Sequence, residues 1–97
     1  MIIKYGTITD EQFNKYKESL IGRIYAILPM KEENSETVGE YIDNLNRELI
    51  ESLDVFARCE RVVSVVCLLN GVAGETDHDV YRKLILKCCN ILAKEEK

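Results

Sequence analysis

The 97-residue chain has no tryptophan, one proline, Pro29, and one histidine, His78. A single histidine cannot build a multi-histidine metal centre, and it leaves a cysteine nucleophile only one side chain to serve as its usual base. No phosphate loop, zinc knuckle or G-x-S-x-G elbow occurs, so Ser19, Ser35, Ser52 and Ser64 carry no hydrolase signature. Long apolar runs are also missing. The longest, Val62 to Leu69 interrupted by Ser64, is far below membrane-spanning length, and Met1 to Thr7 contains neither an extended apolar core nor a small-residue cleavage site. A cytoplasmic protein with no membrane partner is expected. Basic residues are in deficit, 13 against 17 acidic ones, giving a net charge of -4 whose field repels a phosphate backbone. Arg82, Lys83, Lys87 and Lys94 make a narrow stripe with no aromatic residues interleaved, so direct nucleic-acid binding is not expected.

What the chain does have is an ordinary globular balance, 46% apolar and 31% charged, at a length that closes one core. Residues 1–97 therefore read as a single domain. Four cysteines could pair in an exported protein, but Cys88 and Cys89 are adjacent within a helical pattern, which is poor disulfide geometry. Reduced, mostly buried thiols are expected.

Periodicity predicts an all-α fold, a small bundle of three to four helices. After a short extended start that could lie across one end of the bundle, Thr9 and Gln12 form a capping box. Phe13, Tyr16, Leu20, Ile24, Ile27 and Leu28 then step by three and four, and Pro29 should stop this helix, about 9–28. Asn34 or Ser35 can cap the next pattern, Val38, Tyr41, Ile42, Leu45, Leu49, Leu53 and Phe56. It continues through Val62 to Leu69 toward a C-terminus at Asn70-Gly71. That span, 35–70, is either one long bent helix or two helices split near 52–54. The segment 62–69 is apolar all round and belongs in the core or in an oligomer interface. Gly71 to Glu75 reads as a loop, Thr76 or Asp77 as the next cap, and 77–94 as the last helix, with Val80, Tyr81, Leu84, Ile85, Cys88, Ile91 and Leu92 on its apolar side.

Several motifs touch on chemistry. Glu75-x-x-His78 has the spacing used in carboxylate-bridged di-iron bundles, which need two such motifs and two further glutamates where this chain supplies one motif. His78-Asp79 is the dipeptide of helical metal-dependent phosphohydrolases, which use several histidines; here an acidic first turn already accounts for the aspartate. Cys59, Cys67, Cys88 and Cys89 lack the close-spaced pairs of a zinc site. Glu33-x-x-Glu36 and Glu51-x-x-Asp54, with fourteen residues between them, fit the acidic spacing of the all-α nucleoside triphosphate pyrophosphohydrolases, and Glu51 to Phe56 is similar to their second motif. That resemblance implies carboxylates on facing helices holding magnesium on a triphosphate. On one continuous helix the two pairs would stand about 27 Å apart, so Glu33, Glu36, Glu51 and Asp54 would have to meet between chains.

The reading that needs no missing residue is a non-enzymatic helical protein, without cofactor, that works by protein–protein contact as an adaptor, regulator or inhibitor and self-associates as a homodimer. From Lys31 to Asp54 there are eight acidic residues against two basic ones. Glu40, Asp43, Glu48 and Glu51 are thus the expected surface for a protein partner. The alternative is the metal-dependent pyrophosphohydrolase-like enzyme assembled in an oligomer.

Overall fold

A computed structural model describes residues 9–96; the extended start expected at the N-terminus falls outside them. Among the described residues the chain forms helices α1 (Asp10–Tyr25), α2 (Ile27–Glu32), α3 (Val38–Glu51), α4 (Cys59–Gly74) and α5 (His78–Ala93), with one 3-10 turn at Leu53–Val55 and no strand. The fold is the all-α bundle that the periodicity predicts, about 40 × 22 × 20 Å.

The capping box forms as expected: Thr9 Oγ1 accepts from the Gln12 amide at 3.1 Å, and the Gln12 side chain accepts from the Thr9 amide at 3.0 Å. Pro29 does not stop the helical path. The chain turns at Ala26, and Pro29 then occupies the first turn of α2, where its absent N–H would have had no intrahelical partner. Asn34 ends α2 instead of starting α3. It takes φ 55°, so that its amide reaches Lys31 O at 3.1 Å and the Ser35 amide reaches Met30 O at 2.9 Å, the paired bonds of a left-handed helix terminus. Helix α3 begins later, at Val38, without a side-chain cap.

Of the two readings of 35–70, the split one is correct. Ser52 ends α3 with its side chain buried, donating to Leu49 O and accepting from the Tyr16 hydroxyl, and the 3-10 turn leads to α4. Helix α4 runs past Asn70-Gly71 to Gly74, correcting the expected loop. Val72 is fully buried there, so continuing the helix one more turn seats another apolar side chain in the core. Asp77 caps α5, accepting from the Asp79 and Val80 amides.

Helix α5 packs on α1 and α4, and α4 packs in turn on α3. Across the remaining seam, α1 and α3 are joined by long polar side chains: the Tyr41 hydroxyl donates to Arg23 O at 2.8 Å, and the Arg23 guanidinium pairs with Glu48. Helix α4 therefore sits between two neighbours and sends Val62, Val65, Val66 and Leu69 inward. Val63 and Cys67 are left on the outside.

Candidate functional site

A cavity of about 580 Å³ lies at the end of the bundle where α2 meets the α4–α5 connection, and His78 lines it. His78 is the first residue of α5, 48% exposed, with Nε2 2.9 Å from Glu32 Oε2 and Nδ1 3.8 Å from Asp79. Lys31 Nζ donates to Glu75 O at 2.6 Å and lies 5.1 Å from the centre of the Tyr81 ring, whose edge contact with the imidazole closes the cluster. Glu75, outside the helix as expected, accepts from the Thr76 and Asp77 amides. Each of these groups is thus engaged within the chain. The arrangement ties α2 to the start of α5. Burial, and secondarily the charge of Glu32, raises the Tyr81 phenol above its ordinary range, so it stays protonated at neutral pH.

The four carboxylates of the pyrophosphohydrolase-like spacing are all exposed and remain apart. Glu33 and Glu36 precede α3, while Glu51 and Asp54 follow it or close it, so the pairs stand at opposite ends of a helix about 20 Å long. Among the described residues no group of three or more histidine, cysteine, aspartate or glutamate side chains is placed to hold a metal ion.

The thiols divide by burial. Cys59 and Cys67 are exposed, whereas Cys88 and Cys89 lie in the core. Burial, helped by the neighbouring Cys89, pushes the Cys88 thiol from 9.0 up to about 12, and burial raises Cys89 to about 11. Neither is a nucleophile at neutral pH. An acid whose folded pKa is raised contributes stability that is complete below its unfolded value and is lost as pH climbs through the folded one. The unfolding free energy is therefore expected to hold up to about pH 9 and to fall between 9 and 12, with Cys88→Ala flattening part of that decline. Chemical denaturation across the alkaline range measures it, and an unchanged slope in the variant would contradict the assignment.

Of the acidic surface expected for a partner, Glu40, Asp43 and Glu51 are exposed on α3, together with Ile50, which is 54% exposed. Glu48 differs from these three. It is half-buried against Arg23, whose pKa its hydrogen bond raises, and it belongs to the α1–α3 seam.

The feature that composition did not locate is a groove along the outside of the antiparallel pair α4 and α5. Two depressions, about 470 and 240 Å³, share Ser64, Lys87 and Ile91 and so run together. Val63, Cys67, Leu68 and Ile91 provide an apolar floor, and Arg61, Lys87 and Lys94 a basic rim. The signals were present separately, as the all-round apolar run of α4 and the basic stripe of α5. No known protein family, no curated protein and no solved structure matches the chain.

Proposed function

We propose that this protein acts without catalysis, by contact with another protein, and that the groove between α4 and α5 is the face through which it does so. The observation that carries the reading is an apolar trough, with Val63 43% exposed, bordered by three cations on a molecule whose net charge is negative. Apolar surface of this kind is stabilised by cover, and the cations select what covers it. The matching occupant is an amphipathic helix with one apolar edge for Val63, Leu68 and Ile91 and flanking carboxylates for Arg61, Lys87 and Lys94. Four free thiols suit a reducing compartment, and a cytoplasmic location is part of the proposal.

A pair of designed amphipathic peptides, one leucine–glutamate and one leucine–lysine, provides the test. In amide-resonance titrations the acidic peptide is expected to shift residues of 61–68 and 87–94, to bind at least tenfold more tightly than the basic one, and to weaken as salt is raised. Lys87→Glu should remove that preference. Equal binding of both peptides, or none at about 1 mM, would sink the reading.

A further inference from the structure

We infer that the helix received by the α4–α5 groove is α3 of a second copy of the chain, joined head to tail; the inference rests on the groove being a contact face. Ile50 is the most exposed large apolar side chain among the described residues, and it projects from the outer face of α3. Asp43 and Glu51 are exposed on the same helix, with Arg47 as the opposing charge, and Asp54 is exposed in the turn that follows. The groove is its counterpart: an apolar floor, the cations Arg61, Lys87 and Lys94, and Glu60 as the carboxylate on the exposed first turn of α4. An apolar knob flanked by carboxylates thus faces an apolar trough flanked by cations, and both are carried by one chain.

Charge separates two of the ways in which copies could meet. A two-fold pairing of groove on groove would set Lys87, Lys94 and Arg61 of one copy against the same cations of the other, a repulsive arrangement. Placing α3 of one copy in the groove of the next brings opposite charges together and buries Ile50 and Val63 in the same contact. Repeated head to tail, such a contact leaves each copy one face free after the other is used. It predicts concentration-dependent growth instead of a closed dimer.

The experiment is a complementation test on the full chain by light scattering and sedimentation. The wild type is expected to rise above the monomer mass of 11.2 kDa as concentration increases. Ile50→Glu and Val63→Glu alter exposed positions, so both variants should keep the wild-type circular dichroism, and each alone should remain monomeric. Mixed in equal amounts they should form a one-to-one complex and stop there, because the first retains a working groove and the second a working α3. A charge-reversed pair, Glu51→Lys and Lys87→Glu, provides the same test without touching an apolar residue: each weakens assembly at least tenfold and the mixture restores it. A wild type that stays monomeric to about 1 mM overturns the inference. So does a mixture of variants that fails to associate, since the mixture holds one intact α3 face and one intact groove. Monomeric wild type that still binds the acidic peptide would leave the groove as a contact face and remove only the second copy as its occupant; failure of both would remove both.

Discussion

Leu69→Ala is expected to lower the unfolding free energy by about 2–5 kcal/mol, enough to abolish much of the stability of a small domain. The side chain is fully buried on α4, the helix that packs against both α3 and α5. Truncation removes apolar transfer energy and leaves a void in a close-packed core that the surroundings relax into only partially. For a domain of this size a loss of that order lowers the melting temperature by about 10 °C or more. The control lies on the same helix. Val63→Ala, at a 43% exposed position, should change stability by about 0.5 kcal/mol or less. Urea denaturation of the two variants side by side checks the prediction. Equal losses would mean that α4 is rotated about its axis relative to the arrangement described, which would also dissolve the groove.

That contrast marks how far the sequence could be read. Val62 to Leu69 shows no polar side by periodicity, so its composition alone could not say which valines face inward; the packing of α4 between α3 and α5 decides it, burying Val62, Val65 and Val66 and leaving Val63 outside. Elements fixed by local chemistry were legible: the Thr9–Gln12 capping box and the apolar spacing of α1, α3 and α5, whereas the break near Ser52 and the Asp77 cap were each one of two alternatives that packing decided. Errors fell where a residue type has two uses. Pro29 can end a helix or sit in its first turn, and Gly71 and Gly74 read as a loop until a buried Val72 makes another turn worthwhile. Asn34 can cap a start or, at positive φ, close an end.

Site features were less legible because they join distant segments. Glu48 resembles the other carboxylates of α3 until Arg23 of α1 is brought beside it, and nothing local to His78 foretells its pairing with Glu32, 46 residues earlier. The groove behaves in the same way. Its floor and its rim were each visible, but only the antiparallel packing of α4 on α5 places Lys87 and Ile91 beside Val63 and Cys67.

Glu95→Leu is expected to stabilise the protein by about 1–3 kcal/mol, an unusual sign for a substitution at a buried position. Past the end of α5 the chain folds back over the bundle and is held through its backbone: Lys17 Nζ donates to Glu95 O at 2.8 Å and the Ala57 amide to Glu96 O at 2.8 Å. The Glu95 side chain follows that path inward and is 1% exposed, yet neither carboxylate oxygen receives a hydrogen bond from the described residues. Among the described residues its ion pair is with Arg61, whose Nη1 is 3.6 Å away and whose side chain is 46% exposed, so solvent screens much of the attraction. Desolvating a carboxylate is unfavourable by several kcal/mol even after relaxation, and a long, half-exposed pair recovers only part of that. Leucine fits a similar volume and leaves both backbone anchors intact. Glutamine should gain less than leucine, because its amide would be buried with the same lack of partners. Arg61 separates this account from a simple packing effect. Arg61→Ala should destabilise the wild type by leaving the buried charge unpaired, and should have almost no effect once Glu95 is leucine, a coupling read from a double-mutant cycle in thermal unfolding. A loss of stability in Glu95→Leu would show that the carboxylate is satisfied in solution by something other than Arg61.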